Sequence, residues 1–437
     1  MSDKGYDPKS ETDIVRFARG LIDKSLAQAC ALPSEIVKSG AKGRLGNLVE
    51  EFYFGYKPNS SPLPDFPDAK LELKVTGLKR DKSGAVKAKE RLSLTLINFH
   101  EIVEETFETS SLISKCGRML ILCYEYIKDV NEVDLKFTKN QFVYSITSHE
   151  VEQIKRDWQT IQRFVREGRA HEISEGDTFY LKASRKGAGK GKDGTSQPFS
   201  KIRANRRGFS FNSGYMSGII DGATSVEGSL QVQTHQTFEE ATSARLSPYL
   251  GLSKQELLER FGGAGESKAA IRNLTERMLS DGGTSVREIQ KAGIVPKIVY
   301  LKHSGKATQS MSFKAFDYLK VEKTSWEDSD FAEQLEQKFL FVVFQEDEAG
   351  VPRFRKFGYW NMPFQDRNFA REVYEETQQR IIDGTYVFPK LRSNPVSHVR
   401  PHGKNSLDVV ECPDGQYRMR KSFWLNQKYI EKVVSNL

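Results

Sequence analysis

The chain of 437 residues has few cysteines and no long apolar segment. None of the cysteines forms a C-x-x-C pair, so neither a zinc site nor a disulfide framework is indicated, and reduced thiols are expected. The longest strongly apolar run, residues 339–344, is far too short to span a membrane. The cysteines are Cys30, Cys116, Cys123 and Cys412.

The beginning of the sequence gives no sign of a targeting segment. Residues 1–5 are polar and charged and no apolar core follows them, so the sequence predicts a cytoplasmic protein without a signal peptide or contact with a membrane. Hydrophobic residues make up 38% of the chain and aromatic residues 11%, which favours packed cores over disorder. The length is sufficient for two or three domains.

Positive charge is concentrated in one segment of the chain. There are 66 basic and 58 acidic residues, and residues 182–207 carry nine of the basic ones against a single acid. This segment therefore accounts for the whole net charge of +8. Two interpretations stay open: a solvated hairpin tip, or a flexible basic loop that wraps a nucleic-acid backbone.

Two carboxylates and an amine lie close together between residues 64 and 74. Residues 71–75 alternate apolar and charged side chains, as a half-buried strand does, so Glu72 and Lys74 share one face. Asp65 lies in a proline-rich approach that cannot be helical and can bend back beside the strand. Converging carboxylates suit Mg²⁺, and a neighbouring ammonium can orient water at a phosphate.

A third carboxylate precedes this segment on a predicted helix. Apolar residues recur at helical spacing between residues 45 and 52, and Glu50 lies at the edge of that apolar face. A carboxylate there is costly unless it is paired or binds a metal ion. The alternative for Glu72 and Lys74 is an exposed ion pair, because an acid stands two residues before a lysine six times in the chain.

The same motifs occur twice in the same order. The pattern Lys-x₄-Asn-Leu-x-Glu at residues 42–50 recurs at 268–276, and the pattern Phe-x-x-Asn-x-x-Tyr at residues 209–215 recurs at 423–429. A divergent tandem duplication is indicated, with a catalytic domain at residues 1–225, a linker at 226–245 and a second domain at 246–437. The alternative is two unrelated α/β domains.

The two copies differ most at the carboxylates. Val295 stands where the first copy has Glu72, whereas Lys297 matches Lys74. We therefore expect no catalytic metal ion in the second copy. It keeps a basic segment at residues 398–405, which indicates either a domain that retained DNA binding or a structural cap on the first domain.

Together these motifs resemble the MutH family of GATC-directed endonucleases. The whole chain resembles the type II restriction endonucleases that are built from tandem MutH-like domains. The family's helix lysine and acid match Lys42 and Glu50, and its Asp-x₆-Glu-x-Lys motif matches Asp65, Glu72 and Lys74. The resemblance implies an α/β fold with two tandem restriction-endonuclease-like PD-(D/E)xK domains, each a mixed central sheet flanked by helices.

The resemblance also implies a role for each matching residue. Asp65, Glu72 and Glu50 would bind Mg²⁺, and Lys74 would position and activate the attacking water. Base recognition departs from the family at Ser210, where the family has a tyrosine that Tyr215 would replace, and the first copy lacks an Arg-Pro pair. The expected DNA contacts are Lys42, Lys182, Arg185, Lys186, Arg207 and Tyr215 in the first copy, and Arg400, His402 and Lys404 in the second.

The sequence thus predicts a Mg²⁺-dependent type II restriction endonuclease that cuts double-stranded DNA at a short site, GATC. The second domain would bind another site as an effector, the chain would be a monomer that dimerises on DNA, and a cognate DNA methyltransferase would accompany it. Three alternatives stay open: a strand-nicking repair endonuclease, a non-catalytic DNA-binding protein, and a nuclease that acts on RNA or on DNA ends. The duplication favours restriction over the single-domain repair enzyme.

Overall fold

A computed structural model describes most of the chain: residues 5–38, 44–59, 61–81, 84–146, 150–187, 194–224, 237–262, 274–279 and 289–437. Lys42, the middle of the basic segment at 188–193, and residues 226–236 of the predicted linker lie outside these ranges. In the described ranges, no helix combines the length and the apolar character needed to cross a bilayer.

The first half of the chain forms two sheets. Its strands are β1 (Glu72–Arg80), β2 (Val86–Ala88), β3 (Leu92–Leu96), β4 (Arg118–Glu125), β5 (Phe137–Ser145), β6 (Leu181–Arg185), β7 (Gly194–Gln197), β8 (Ser200–Asn205) and β9 (Arg207–Phe211). The larger sheet has the order β2-β1-β4-β5, the smaller has the order β3-β9-β6, and β7 pairs with β8. Only β1 and β4 are parallel in the larger sheet, so it is a mixed sheet.

Strand β1 lies where the sequence predicted a strand, but the burial of its side chains differs from the prediction. Glu72 pairs with Met119 and Lys74 with Ile121 of β4. Leu73 is buried as the alternation predicts, but Glu72 is buried as well, with 2% of its surface exposed. The carboxylate therefore lies inside the protein and not on a solvated face.

Helices cover the sheets of the first half. In Val151–Arg166 the apolar residues Ile154, Trp158, Ile161 and Val165 are all buried, so this helix packs one face on the core. The other helices are Glu11–Ala18, Leu26–Ala29, Ser34–Lys38, Leu45–Leu48, Ser111–Cys116 and Ser213–Thr224; short 3₁₀ turns lie at Arg19–Leu21, Glu132–Asp134, Ala170–Glu172 and Glu175–Asp177, and a π-helical turn lies at Val49–Tyr53.

The second half of the chain also forms two sheets and a hairpin. Its strands are β10 (Val295–Leu301), β11 (Met311–Ala315), β12 (Phe339–Glu346), β13 (Pro352–Trp360), β14 (Ser397–Pro401), β15 (Val409–Glu411), β16 (Tyr417–Met419) and β17 (Lys421–Leu425). The sheet orders are β10-β12-β13 and β11-β17-β14, and β15 pairs with β16. As with β1 and β4, the pair β10 and β12 is parallel. The helices are Phe238–Leu246, Lys254–Phe261, Tyr318–Lys323, Asp330–Leu335, Phe364–Ile382 and Gln427–Ser435, with a 3₁₀ turn at Ser247–Tyr249.

The two halves share a hydrophobic core. One cluster of buried residues includes Leu78 and Met119 from the first half together with Leu340 and Phe354 from the second. The helix Phe238–Leu246 begins inside the predicted linker, and the ring of Phe238 stacks on Phe179 with their centroids 4.3 Å apart. The halves are therefore packed against each other along an apolar surface.

Candidate active site

Asp65 and Glu72 are joined through the backbone at the start of β1. The Asp65 amide donates a hydrogen bond to Glu72 Oε2 (3.1 Å), and the Leu73 amide donates one to Asp65 Oδ2 (2.9 Å). The turn between them is closed by two hydrogen bonds between the backbones of Phe66 and Leu71. The proline-rich approach thus bends back beside the strand as the sequence predicted, and it brings the two carboxylates together.

The Lys74 ammonium completes this group. Its Nζ donates to Glu72 Oε1 (2.8 Å) and to the carbonyl oxygen of Leu94 on β3 (3.1 Å). Burial opposes the charge on Lys74, yet the neighbouring carboxylates of Glu72 and Asp65 help to raise its pKa above the usual value. Lys74 is therefore a fixed cation at neutral pH, tied to both sheets of the first half.

Glu50 lies near these residues on the π-helical turn Val49–Tyr53. Leu45, Leu48 and Val49 are buried, as the helical spacing predicted. Burial raises the pKa of Glu50 to about 7, and the charges of Asp65 and Glu72 add to that effect. Burial also raises the pKa of Glu72, although Lys74 opposes the change. The site thus holds more negative charge than its own cations neutralise.

This arrangement fits a Mg²⁺ ion. Among the described residues, no three His, Cys, Asp or Glu side chains stand close enough together to form a complete protein cage for a metal ion. Mg²⁺ does not require one, because it is usually held by one or two carboxylates and keeps several waters. Asp65 and Glu72 would supply those carboxylates, and a divalent cation would relieve the excess charge that raises the pKa of Glu50.

No motif in the sequence points to two of the residues that contact the site. Lys115, at the end of the helix Ser111–Cys116, donates from Nζ to the carbonyl oxygen of Ser61 (2.6 Å), and its charge lowers the pKa of Glu50 and Glu72. The Leu94 carbonyl oxygen holds Lys74. Both belong to other elements, so only the tertiary structure brings them to the site.

Three of the expected DNA contacts of the first half lie inside the protein. Lys182 is buried and donates to the Thr178 carbonyl oxygen (2.5 Å), and burial lowers its pKa to about 8. Tyr215 is fully buried, and its hydroxyl contacts Tyr144 Oη (2.7 Å) and Glu150 Oε2 (2.5 Å). Arg207, the third, is 3% exposed. In this arrangement none of the three reaches a surface where DNA could bind.

Arg207 and Arg185 instead meet an acid from the second half of the chain. Glu336 accepts hydrogen bonds from Arg185, from Arg207 Nη2 (3.4 Å) and from Arg367 Nη1 (3.3 Å). Burial opposes the charge of Glu336, but Arg207, Arg185 and Arg367 together lower its pKa to about 2. We call these four residues the arginine–glutamate cluster; it joins the two halves.

Lys186 lies on the side of the protein where β3 holds Lys74. Its Nζ donates to Ser93 Oγ (2.6 Å), one residue before Leu94, whose carbonyl oxygen holds Lys74. Burial lowers the pKa of Lys186 and the charge of Lys74 adds to this effect, so Lys186 lies in the neighbourhood of Lys74. Lys42 lies outside the described residues.

The expected DNA contacts of the second half are on its surface. Arg400, His402 and Lys404 are all exposed. The Arg400 guanidinium lies 5.0 Å from the ring centroid of Trp424, and the His402 ring lies 5.4 Å from it. A cleft of about 410 Å³ adjoins Trp424 and is also lined by Val295 and Lys297, the residues aligned with Glu72 and Lys74.

Comparison with known proteins identifies relatives of this chain. The family model of the DNA mismatch repair enzyme MutH matches residues 54–157, a range that contains Asp65, Glu72, Lys74 and Lys115. The type II restriction enzyme Sau3AI of Staphylococcus aureus is 31% identical over 91% of this chain and 93% of its own length. The family model thus covers the carboxylate group, and the relative extends over both halves.

Proposed function

The chain belongs to the MutH-like type II restriction endonucleases, and we propose that it cleaves double-stranded DNA at GATC in a Mg²⁺-dependent reaction. The observation that carries the proposal is the convergence of Asp65, Glu72 and Lys74, linked by hydrogen bonds of 2.8–3.1 Å. GATC is the recognition sequence that the resemblance to the family implies. Site-specific hydrolysis of DNA is the activity that this family membership supports.

Each residue of the site has a distinct task in this proposal. Asp65 and Glu72 would hold Mg²⁺, which when bound polarises the scissile phosphate and favours deprotonation of water. Lys74 carries a raised pKa, so it would orient the attacking water and stabilise charge on the phosphate as a cation. Glu50, whose pKa of about 7 applies without a bound cation, would act through a second metal ion or a metal-bound water.

We further propose that the halves arose by tandem duplication and that the second half binds DNA as an effector. The matching sheet orders, the parallel pairs β1–β4 and β10–β12, and the cleft beside Val295 and Lys297 support this. Without a carboxylate at Val295, that cleft would bind DNA and leave it uncut. The exposed Arg400 and His402 would contact phosphates there.

Lys186 is our candidate for a phosphate contact beside the scissile bond in the first half, because it lies next to the site. For Lys182, Arg207 and Tyr215 a DNA contact requires that residues now buried become exposed. Separation of the halves at the arginine–glutamate cluster would release Arg207 from Glu336. Lys182 and Tyr215 are held by Thr178, Tyr144 and Glu150 within the first half, so that separation would not by itself free them for DNA.

Cleavage of supercoiled plasmid tests the function. Unmethylated and adenine-methylated DNA would be incubated with the protein in Mg²⁺ and in EDTA, together with Glu72→Gln and with Asp134→Asn as a matched control. Asp134 also stands two residues before a lysine, but it is exposed and far from the site in sequence. We expect discrete Mg²⁺-dependent fragments from the wild type and Asp134→Asn, and none from Glu72→Gln.

Each other product pattern has a definite meaning. Fragment ends that do not map to GATC would refute the recognition sequence and leave the nuclease in place. Accumulation of open-circular plasmid alone would favour a strand-nicking enzyme, the second candidate, which the match to a mismatch repair enzyme supports. Retarded but uncut plasmid under all conditions would refute catalysis.

A further inference from the structure

One buried hydroxyl beside the carboxylates has no hydrogen-bond partner. The Tyr56 hydroxyl oxygen is shielded from solvent, and no donor or acceptor among the described residues bonds to it. A buried polar group without a partner costs free energy, so proteins seldom keep one without a reason. A ligand or solvent molecule that satisfies the hydroxyl is one such reason.

The position of Tyr56 is fixed by a backbone hydrogen bond, by a turn and by the packing of its ring. Its backbone amide donates to the Glu50 carbonyl oxygen (3.1 Å), and the preceding Gly55 has a positive φ of 72°, which turns the chain back at this point. The ring packs edge-on against Phe66, with centroids 5.5 Å apart, and lies 6.5 Å from Phe54. The hydroxyl is therefore held between the turn that carries Glu50 and the turn that carries Asp65.

The groups that act electrostatically on this hydroxyl are the proposed metal-binding carboxylates. Burial raises the pKa of Tyr56, and the charges of Asp65, Glu50 and Glu72 raise it further. The Tyr56 hydroxyl is therefore protonated at neutral pH. A protonated hydroxyl can donate a hydrogen bond toward the negative charge of these carboxylates.

We propose that Tyr56 is a positioning residue of the cation site, whose hydroxyl donates a hydrogen bond to a solvent molecule held between the Asp65 and Glu50 carboxylates. Mg²⁺ keeps several of its waters when a protein binds it, so such a molecule belongs in a site of this kind. The hydrogen bond fixes the two carboxylates relative to each other. This inference rests on the proposed Mg²⁺ site.

The neighbouring Tyr53 provides the contrast. Its hydroxyl donates to the Phe17 carbonyl oxygen (2.8 Å), and its ring lies 4.7 Å from that of Phe17. Tyr53 thus has a structural partner away from the carboxylates, whereas Tyr56 has none. The same substitution at both positions separates a role at the cation site from a role in folding.

The test compares Tyr56→Phe with Tyr53→Phe in the full-length chain without DNA. Mn²⁺ alone serves as the probe, and the free ion is followed by electron paramagnetic resonance while thermal unfolding is measured in parallel. For Tyr56→Phe we expect an Mn²⁺ affinity about 3- to 10-fold weaker, as the loss of one hydrogen bond to a solvent molecule implies, and an unchanged or raised melting temperature. For Tyr53→Phe we expect a lower melting temperature and an unchanged Mn²⁺ affinity.

The outcomes separate this inference from the proposed function. Wild-type affinity in Tyr56→Phe, with binding abolished in Glu72→Gln, overturns the role of Tyr56 and leaves the metal site in place. No binding of Mn²⁺ by the wild type overturns both. Equal weakening in both tyrosine variants, together with a loss of stability, makes Tyr56 a structural residue and overturns the inference.

Discussion

Arg207 on β9 and Glu336, just after the helix Asp330–Leu335, form an ion pair at 3.4 Å across the two halves of the chain. Both side chains are buried, with 2% and 6% of their surfaces exposed. Arg185 and Arg367 contact the same carboxylate, so one acid pairs with three guanidinium groups. Arg207, which the sequence predicted to contact DNA, thus links the two halves of the chain in this structure.

Removing the Glu336 charge should destabilise the protein strongly. Glu336→Gln leaves the buried Arg207 and Arg367 and the half-buried Arg185 without their counter-ion, and breaking a buried pair in this way costs about 3–5 kcal/mol. Urea unfolding at pH 7 measures the loss. The control is Glu333→Gln, an exposed acid that also pairs with an arginine (Arg91, 3.0 Å), and it should cost less than about 1 kcal/mol. Equal effects in the two variants would contradict the importance of the cluster.

The same pair predicts a loss of stability in acid. The pKa of Glu336 falls from about 4.3 in an unfolded chain to about 2 in the folded protein, so folding favours the ionised form. Its contribution is complete above pH of about 4.3 and is lost as the pH falls through about 2. The free energy of unfolding of the wild type should therefore fall toward that of Glu336→Gln across this window. If the difference in unfolding free energy between the two proteins stayed constant across this window, the prediction would be wrong.

Glu50 should show the opposite dependence in the absence of divalent cations. Its pKa is raised to about 7, so its neutral form favours folding at low pH and the advantage is lost as the pH rises through 7. Glu50→Gln should therefore be more stable than the wild type at pH 8, by ~1–2 kcal/mol once solvent screening is allowed for. Near pH 4 the two should match. Glu51 is the exposed neighbour, and Glu51→Gln should have the stability of the wild type at both pH values. Thermal melting curves at pH 4 and pH 8 measure these differences.

Lys74 should be required for cleavage but not for DNA binding. Loss of a preorganised cation at the scissile phosphate lowers kcat by about 10²–10³. Lys74→Gln should show that loss and still retard DNA, whereas Lys79→Gln, an exposed lysine further along β1, should cut normally. Cleavage assays and gel retardation with the same DNA provide the comparison. Loss of binding in Lys74→Gln would place the residue in recognition.

The effector role of the second half predicts a dependence on the number of sites. Plasmids with two recognition sites should be cut faster than plasmids with one, because the second half would hold one site while the first half cuts the other. Arg400→Ala should reduce this difference without changing the rate on one site. Arg392→Ala, another exposed arginine of the second half, is the control. If the wild type cut both plasmids at equal rates, the proposed effector role would be wrong.

The fold of strand β1 could be predicted because its signals are local. Alternation of side chains marked β1, helical spacing marked the buried residues before Glu50, and prolines marked the bend that brings Asp65 to Glu72. The recognition of the family rested on the same motifs, and the relatives confirm it. Lys115 could not be found in this way, since the tertiary structure brings it to the site from a distant segment. The proposed role of Tyr56 could not be found either, because it depends on the hydroxyl being buried without a partner.

Sequence alone determined the chemistry available to this protein: three acids, a lysine and a basic segment in a fixed order. Tertiary structure decided which of them face each other. The spacing Glu-x-Lys occurs both as Glu72 with Lys74 and as Glu336 with Lys338, and all except Lys74 are buried. Burial and the charge of Asp65 raise the pKa of Glu72 against the effect of Lys74, whereas for Glu336 the effect of burial is outweighed by three arginines, which lower its pKa. The surrounding charges come from remote parts of the chain, so no local pattern could distinguish the two.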